Sequence, residues 1–439
     1  MAKFGTAGIR GLVGETITNE LAIALGGSFT DSRVIITTDI RPSGRMLKMA
    51  LQSGLLAHNN TVLDMGIAPT PTLCIATKKL QAQGIVITAS HNPEGYNGFK
   101  FFSNGMEISE DEQQRIEKML DDEKAPQMNW EKVGSVQPYG TATSEHIERI
   151  LEKIEHASLE KKKCKVVVDC NGSGSVITPN LLREAGATVI SLNCNGWFSR
   201  GSEPSQENLE VTMKIARAEG AVALAHDGDA DRCVAVDDTG EYLGLDRQLA
   251  MVADYLMQGS RNKTVISTVE SGLTLREVVE KNNGKLLISK VGSGTLGRLV
   301  KQKQALFGGE PCGEYIFPEL HHGADGIAVA LLLAEMDAEE KLSSRKKKYK
   351  EYPIKREKFS LAAAKKSRQE VMEKIKAELP AGGELNETDG LRVDTENAFV
   401  LVRPSGTEHV IRLTCEARND KVLADLYTKF SKLIETSIR

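Results

Sequence analysis

The sequence predicts an α/β protein with three tandem mixed-sheet α/β domains followed by a smaller α+β domain. Apolar runs of strand length alternate with segments of helical period, which is typical of layered α/β units. The alternation starts again at two later points of the chain, so that one unit follows another. At 439 residues the chain is also too long for one hydrophobic core, because domains commonly hold about 100 to 150 residues.

The first unit contains short apolar runs that predict strands and longer periodic segments that predict helices. The predicted strands are 34–36, 61–63 and 85–87, and the predicted helices are 46–58, 73–80, 109–122 and 144–156. A polar stretch near Pro126 and Trp130 separates the last two helices. We therefore place the first domain boundary near residue 140.

The second and third units repeat this pattern, and the last unit departs from it. Strands are predicted at 165–169, 188–192 and 222–225, and again at 264–269 and 286–291. The turn at 238–240 predicts the second boundary, and the basic run 341–350 predicts a linker. The last unit has a predicted helix at 369–378, strands at 399–402 and 410–413, and an amphipathic helix at 422–438. The predicted domains are 1–140, 141–238, 239–345 and 346–439.

The charge balance argues against a nucleic-acid partner. The chain carries 56 basic and 60 acidic side chains, for a formal net charge of -4 and a pI near 6.2. Proteins that bind nucleic acid usually carry a broad basic stripe that neutralises many phosphates. The sequence has no such stripe, so we expect a small-molecule ligand instead.

The cysteines and the start of the chain predict a cytoplasmic protein without a membrane span. The seven cysteines lie far apart and include no C-x-x-C pair, which is typical of reduced, structural thiols. Residues 1–5 are not a basic segment followed by an apolar one, and no run approaches about 18 uncharged apolar residues.

The loop after the predicted strand 85–87 presents a candidate nucleophile. Its sequence is Thr-Ala-Ser-His-Asn-Pro at 88–93, so that Ser90 has the imidazole of His91 beside it. The strand fixes the backbone, and the Asn-Pro pair predicts a reversal of the chain. We therefore expect Ser90 to lie where a substrate can reach it.

Three aspartates at alternate positions predict a metal site. Asp227, Asp229 and Asp231 follow the predicted strand 222–225, and small residues between them let the loop curl. Three carboxylates this close repel one another unless a cation lies between them, and hard oxygen donors suit Mg²⁺. An EF-hand is excluded because Arg232 stands where that motif needs Gly. A solvated acidic turn is the remaining alternative.

Two further loops carry polar groups suited to a sugar phosphate. Residues 403–408, Arg-Pro-Ser-Gly-Thr-Glu, combine a guanidinium, two hydroxyls and a glycine amide, as in a phosphate-binding turn. Residues 308–314, Gly-Gly-Glu-Pro-Cys-Gly-Glu, place Glu310 and Glu314 in a glycine-rich loop that suits paired sugar hydroxyls. Taken alone, the first loop is more commonly a β-turn that closes a hairpin, and the second is explained equally well by a turn lined by acids.

Taken together and in this order, four loops resemble those of the α-D-phosphohexomutase family. They are the serine loop 88–100, the Asp-Gly-Asp-Ala-Asp-Arg loop 227–232, the Gly-Glu-x-x-Gly-x loop 309–314, and Arg-Pro-Ser-Gly-Thr at 403–407. The opening Phe-Gly-Thr-Ala-Gly-Ile-Arg-Gly at 4–11 is similar to the amino-terminal signature of that family. The resemblance spans nearly the whole chain, and it implies a four-domain, heart-shaped enzyme in which one loop per domain meets in a central cleft.

The resemblance also implies a role for each site residue. It implies that Ser90 carries a phosphoryl group and that one Mg²⁺ ion is held by the three aspartates, with a further oxygen from Ser90 or its phosphate. Lys100 or His91 is the candidate for proton transfer, unless both only balance phosphate charge, and Arg10 lines the catalytic cleft. The residues implied to bind substrate are Arg232, Arg247, Lys290, Glu310, Cys312, Glu314, Arg403, Ser405, Gly406 and Thr407.

The implied activity is the interconversion of hexose 6-phosphate and hexose 1-phosphate. Phosphoserine 90 would give its phosphoryl group to the sugar, and the resulting hexose 1,6-bisphosphate would turn end for end and return its other phosphate. Because water must be excluded, we expect the fourth domain to close over the cleft. The expected ligands are a hexose phosphate, the bisphosphate as activator and Mg²⁺, bound by a monomer or homodimer that contacts neither nucleic acid nor membrane.

Two departures from the common pattern of the family concern the choice of sugar. Ala7 stands where a serine is frequent, and Cys312 with Glu314 replace the usual Ser and His of the sugar loop. A second carboxylate favours a ring that bears an ammonium group. This gives the hypothesis that glucosamine phosphate is the substrate, with mannose and glucose phosphates as the alternatives.

Three other functions fit parts of the sequence. Gly-Ser-Gly-Thr-Leu-Gly at 292–297 fits the G-x-G-x-x-G pattern of an NAD-dependent oxidoreductase, although the acids downstream belong to another loop. A serine hydrolase could use Ser90, but the chain lacks a G-x-S-x-G elbow around it, and a triad partner is set by space rather than by sequence. A sugar-phosphate binder without turnover would not need an intact Ser90 and three aspartates.

Overall fold

The computed structural model describes residues 3–5, 8–30, 32–121, 130–362, 367–379, 383–405 and 409–438. Within this part of the chain the strands form four successive sheets, of which the first three are mixed and the fourth is antiparallel. The predicted fold class is therefore confirmed. The domain boundaries near residues 140, 238 and 345 stay predictions, and each sheet takes its strands from one of the four segments that they define.

The first sheet has the order β1-β5-β4-β2-β3-β7, with β6 paired to β5. Its segment contains β1 (Ile9–Leu12), α1 (Asn19–Gly26), β2 (Arg33–Thr38), α2 (Pro42–Ala57), β3 (Thr61–Ile67), α3 (Thr70–Leu80), β4 (Gln83–Ile87), β5 (Tyr96–Ser103), β6 (Met106–Glu107), α4 (Glu110–Asp121) and β7 (Ser135–Pro138). Strand β2 is buried on both faces, since Val34 and Ile36 pack into one core and Ile35 into another. Because β2 and β4 are parallel neighbours, the residues that follow them meet at one edge of the sheet.

The second sheet has the order β11-β10-β8-β9. Its segment contains α5 (Ala142–Lys153), α6 (Ala157–Lys162), β8 (Lys165–Asp169), α7 (Thr178–Glu184), β9 (Thr188–Leu192), α8 (Glu210–Glu219), β10 (Val222–His226) and β11 (Cys233–Val236). Strands β10 and β11 are antiparallel, with His226 opposite Cys233. The aspartate loop therefore closes this pair of strands.

The third sheet has the order β13-β12-β14-β15. Its segment contains α9 (Leu245–Met257), β12 (Thr264–Thr268), α10 (Leu273–Lys281), β13 (Lys285–Ser289), α11 (Ser293–Lys303), β14 (Phe307–Gly309), β15 (Tyr315–Ile316), α12 (Gly326–Glu339) and α13 (Leu342–Arg345). Helix α12 is buried along almost its whole length and shares one hydrophobic core with strands β8 and β10. The second and third units therefore share one core.

The basic run 341–350 is folded, so its prediction as a linker is wrong. It forms α13 and a 3₁₀ turn, Lys346–Lys348. Leu342 is buried in the shared core, and Lys346 forms an ion pair with Asp237 at 2.5 Å. Apolar burial and a partner from the second unit hold the segment in place, and the basic composition alone does not reveal either.

The fourth sheet is antiparallel, in the order β16-β20-β19-β18-β17. Its segment contains β16 (Ile354–Ser360), α14 (Arg368–Ala377), β17 (Glu384–Asn386), β18 (Leu391–Asp394), β19 (Ala398–Pro404), β20 (Val410–Ala417) and α15 (Asp420–Ile438). Ser367 begins α14 with a capping box to Glu370. Among the helices described, none has the length and apolar character needed to cross a membrane.

Candidate active site

Ser90 lies at the carboxyl edge of the first sheet, two residues after Thr88. Its backbone has φ +52°, in the left-handed region that residues other than glycine rarely adopt. Its N–H donates to Thr88 Oγ1 at 2.8 Å, and its Oγ donates to Asp227 Oδ2 at 2.7 Å. Ser90 is only 1% exposed, because the aspartate loop covers its hydroxyl. The expectation that a substrate reaches Ser90 stays a prediction.

The three aspartates converge as predicted. Their ligand atoms lie within 4.8 Å of one another, and Asp227, Asp229 and Asp231 are all buried. Asp229 Oδ1 and Asp231 Oδ1 are buried and have no hydrogen-bond partner among the described residues. Buried carboxylate oxygens that lack partners are costly, so this set of oxygen donors fits a divalent cation such as Mg²⁺.

Lys100 supplies the nearest positive charge to this cluster. From β5, its Nζ donates to Asp229 Oδ2 at 2.7 Å and to Asp231 Oδ2 at 2.6 Å, and it is almost fully buried. Burial opposes its charge, but the two carboxylates outweigh burial and raise the pKa of Lys100 above its usual value. Lys100 is therefore a fixed cation.

The carboxylates differ in their affinity for protons. Burial and repulsion from its neighbours raise the pKa of Asp227, and burial and Asp229 raise the pKa of Asp231 to about 7. The pKa of Asp229 is lowered despite its burial, because Lys100 and the Thr70 hydroxyl stabilise its anion. Without a cation, the cluster therefore holds protons near neutral pH.

His91 lies beside Ser90 as a neutral side chain. Its Nδ1 is 3.4 Å from Ser90 Oγ. Burial and the nearby cations Arg232, Arg10 and Lys100 lower the pKa of His91 to about 2. The imidazole therefore lacks a positive charge at neutral pH.

The predicted sugar loop joins β14 to β15 and contacts the aspartate loop. Arg232 connects the two loops, because its Nε donates to Glu314 Oε1 at 3.0 Å and its backbone pairs with that of Glu314. Glu310 is buried and accepts a hydrogen bond from the Gly292 N–H at 3.2 Å. Burial and Glu314 raise the pKa of Glu310, and the same two causes raise that of the Cys312 thiol, which stays protonated.

Of three other predicted cations, Arg10 lies at the serine loop, whereas Arg247 and Lys290 belong to the third unit. Arg10 Nη1 donates to Asn92 Oδ1 at 3.4 Å at the edge of the serine loop. Arg247, in the first turn of α9, is paired with Glu351 next to the fourth unit. Lys290 is exposed and lines a cavity of about 560 Å³ between the starts of α4 and α11.

The predicted phosphate loop begins where β19 ends. Arg403 Nη2 donates to Glu270 Oε1 at 3.0 Å and its Nη1 to Asp389 Oδ2 at 3.4 Å. Ser405 is buried, and its N–H donates to Val410 O at 3.0 Å. Gly406 and Thr407 lie outside the described residues, so their predicted role is not tested.

Comparison with known proteins assigns these loops to a family. Phosphoglucomutase/phosphomannomutase family models match alpha/beta/alpha domain I at residues 1–127, domain II at 144–240, domain III at 245–352 and the C-terminal domain at 356–433. The chain belongs to the phosphoglucomutase/phosphomannomutase family. It is accordingly an isomerase of the phosphohexomutase class.

Curated relatives and solved structures match along the whole length. Probable phosphoglucosamine mutases of Methanopyrus kandleri and Pyrococcus furiosus are 38% and 36% identical, and each match covers 99% of this chain and 98% of the relative. A phosphoglucomutase/phosphomannomutase family protein from Burkholderia thailandensis has a TM-score of 0.87 at 27% identity, covering 98% of this chain and 97% of that one. N-acetylphosphoglucosamine mutase of Aspergillus fumigatus, solved in complex with GlcNAc-6P and magnesium, shares the fold at 14% identity with a TM-score of 0.63 over 100% of this chain and 96% of that one.

Several buried polar residues of this phosphohexomutase support the site although sequence reasoning did not select them. Thr70 Oγ1 donates to Asp229 Oδ2 at 2.5 Å, and Ser202 Oγ donates to Ser90 O at 2.7 Å. Arg41 forms a buried ion pair with Asp39, which follows β2. One sequence signal could have indicated Asp39. It follows β2, the serine loop follows β4, and the ends of neighbouring parallel strands lie at the same edge of a sheet.

A second buried cluster, outside the aspartate loop, joins three units of the family fold. His146 Nε2 and His321 Nε2 lie 3.0 Å and 3.1 Å from Asp325 Oδ2, and Thr72 Oγ1 lies 3.0 Å from His146 Nδ1. The Gly323 N–H donates to His321 Nδ1 at 3.1 Å, so the proton of neutral His321 is on Nε2. A metal ligand at Nε2 would need that proton on Nδ1. The cluster is therefore a hydrogen-bond network rather than a metal site.

We expect Asp325→Ala to destabilise the protein by about 3 kcal/mol or more, because it removes a helix cap and leaves buried imidazole donors unpaired. Asp325 Oδ1 accepts from the Ile327 and Ala328 N–H groups at the start of α12. Urea unfolding at neutral pH measures the loss. Ser367→Ala, which removes the cap of α14, is the control and should cost about 1 kcal/mol. An equal cost for both variants would contradict a role for the network.

Proposed function

We propose that this phosphohexomutase interconverts hexose 6-phosphate and hexose 1-phosphate through phosphoserine 90 and a bound hexose 1,6-bisphosphate. One observation carries the proposal: Ser90 Oγ lies 2.7 Å from Asp227 Oδ2, although the two residues are 137 positions apart and belong to different units. A hydroxyl placed against a cation-binding carboxylate cluster suits the acceptance and release of a phosphoryl group.

Asp227, Asp229 and Asp231 are the residues that would hold Mg²⁺, with Ser90 as a further oxygen ligand. The orphaned Oδ1 atoms of Asp229 and Asp231 support this assignment. The ion would neutralise the charge of the transferring phosphoryl group. Because Lys100 already binds two of these carboxylates, it balances the remaining negative charge.

His91 and Lys100 are unequal candidates for proton transfer. Lys100 stays protonated because its carboxylate partners raise its pKa, so it cannot take a proton. His91 is neutral, since burial lowers its pKa to about 2, and its ring lies beside Ser90 Oγ. We assign charge balance to Lys100. A pKa of about 2 makes His91 a poor proton acceptor at neutral pH, so we assign the proton-accepting role to a substrate oxygen.

Arg10, Arg247 and Arg403 are the cations that we assign to the phosphates of the substrate. Each has a buried Nε without a hydrogen-bond partner among the residues described, and such a donor suits a phosphate oxygen. Two acids, Glu270 and Asp389, form ion pairs with Arg403. Phosphate binding would therefore exchange Glu270 and Asp389 for the ligand.

The glycine turn 292–297, on which the NAD-dependent alternative rests, has carboxylates beside it. The N–H of Gly292 is already taken by Glu310, and Ser293 Oγ donates to Glu107 Oε1 at 2.6 Å. A side chain added at Gly294 would meet Glu107 at 2.8 Å. Two carboxylates therefore lie where the pyrophosphate of NAD would need free N–H groups.

For the sugar, we propose glucosamine phosphate. Relatives at 36–38% identity are named probable phosphoglucosamine mutases. In the sugar loop, Arg232 neutralises Glu314. The Glu310 carboxylate accepts hydrogen bonds from the Gly292 N–H and from no other group in the part of the chain that the structure describes. The carboxylate of Glu310 can therefore accept further hydrogen bonds from the ring substituents of an amino sugar.

Turnover of glucosamine, glucose and mannose 6-phosphates, each with its matching 1,6-bisphosphate, tests the choice of sugar. We expect kcat/KM for glucosamine 6-phosphate to exceed the others by about tenfold or more, since an ammonium group pairs with the acidic loop. Glu310→Gln should reduce this ratio, whereas Glu319→Gln, which removes the same charge from an exposed residue after β15, should leave it unchanged. Equal kcat/KM values for the three sugars would reject glucosamine phosphate but not the mutase reaction.

A further inference from the structure

Arg41 is a buried residue whose guanidinium donates hydrogen bonds to the serine loop and to Asp39. The residue follows β2 and is 2% exposed. Its Nε donates to Asp39 at 3.0 Å, its Nη1 to Pro93 O at 2.6 Å and Tyr96 O at 3.0 Å, and its Nη2 to Ser90 O at 2.9 Å and Asn92 O at 2.7 Å. With all three nitrogens engaged by the protein, Arg41 is not a phosphate ligand.

The same ion pair also reaches the N–H of Ser90. Asp39 Oδ2 accepts from Thr88 Oγ1 at 2.7 Å, and Thr88 Oγ1 accepts from the Ser90 N–H at 2.8 Å. The amide and the carbonyl of Ser90 therefore both connect to the Asp39–Arg41 pair. This matters because φ at Ser90 is +52°, a conformation that persists only where the surroundings determine it.

A residue of the second unit also binds the carbonyl of Ser90. Ser202 Oγ donates to Ser90 O at 2.7 Å. A Cβ added at Gly228 would lie 2.7 Å from that oxygen, so the aspartate loop leaves no spare room. The carbonyl of Ser90 is thus fixed by one guanidinium and one hydroxyl from different units.

We propose that Arg41, assisted by Ser202, is a positioning residue that holds the nucleophile loop in the conformation that aims Ser90 Oγ at the cation site. The inference rests on the proposed function, because it assigns a purpose to the geometry of Ser90. An arginine is required since only its planar fork can serve four carbonyls and a carboxylate at once. A misplaced nucleophile slows the chemical step without weakening the binding of substrate.

Arg41→Lys tests the proposal, with Arg183→Lys, at an exposed residue of α7, as the matched control. We expect kcat of Arg41→Lys to fall by about 100-fold while KM for hexose phosphate changes less than about threefold. We also expect the single-turnover transfer of phosphate from labelled hexose 1,6-bisphosphate to Ser90 to slow by the same factor. A purely structural role would instead lower the melting temperature and leave kcat per folded molecule unchanged, which would overturn the proposal.

If Arg41→Lys does not fold, Ser202→Ala tests the same positioning role. This variant removes one hydrogen bond to Ser90 O and leaves the buried ion pair intact, and we expect kcat to fall by about tenfold at constant KM. A kcat within twofold of the parent would overturn the proposal. Ser90→Ala separates the proposed function from the positioning role. Full turnover by Ser90→Ala would contradict the proposed function itself. If Ser90→Ala loses turnover while Arg41→Lys and Ser202→Ala keep parental kcat, only the positioning role is contradicted.

Discussion

Ser90→Ala is expected to lose mutase turnover by roughly 10⁴-fold or more while the protein stays folded. The variant removes the hydroxyl that carries the phosphoryl group and one hydrogen bond to Asp227. Among the described residues around the three aspartates, Thr70 also offers a hydroxyl, but it already donates to Asp229 at 2.5 Å. A coupled assay with added hexose 1,6-bisphosphate measures the loss, and the bisphosphate should not restore activity.

Ser144→Ala is the control for this variant. Ser144 is an exposed serine whose Oγ donates to Thr141 O at 2.8 Å, away from the aspartate loop. It should keep parental turnover. Mutase activity of Ser90→Ala close to that of the control would show that another group carries the phosphate.

Asp231→Asn is expected to weaken Mg²⁺ binding and to reduce kcat by about 1000-fold, because one of three cation ligands loses its charge. In the parent protein, saturating Mg²⁺ should raise the melting temperature, since a ligand that binds only the folded state stabilises it. Asp231→Asn should show little of this shift. Glu219→Gln removes an equal charge from an exposed ion pair of the same unit and should behave like the parent.

The same site predicts a pH dependence of metal affinity. Mg²⁺ binds the ionised carboxylates, and burial with Asp229 raises the pKa of Asp231 to about 7 in the metal-free protein. The affinity should therefore rise by about tenfold from about pH 6 to about pH 8, with protons released on binding. Calorimetry in buffers of different ionisation enthalpy detects the release. A pH-independent affinity without proton release would contradict the assigned ligands.

Much of the fold could be predicted from local patterns. The strands 165–169 and 188–192 have the predicted bounds, because each apolar run is flanked by polar or turn residues. Helix α12 was missed because it is buried all round: a continuous apolar run at 326–334 has no polar face from which a helical period could be seen.

The part of the site that could be predicted is the part whose functional residues are close together in the sequence. The three aspartates and Ser90 stand at strand ends, and the structure brings them together. Arg41 could not be selected, because an arginine before a helix is usually a surface residue and its acceptors come from another loop. Long-range partners decide such roles, and a single sequence does not show them.

The phosphoserine assignment meets its most direct test in one experiment. The protein, with Mg²⁺, is mixed with hexose 1,6-bisphosphate carrying labelled phosphate, stopped after a single turnover and digested for peptide mapping. The account predicts one label per chain on the peptide that contains Ser90, formed at least as fast as the enzyme turns over. Label on another residue, or rapid turnover while Ser90 stays unlabelled, would contradict it.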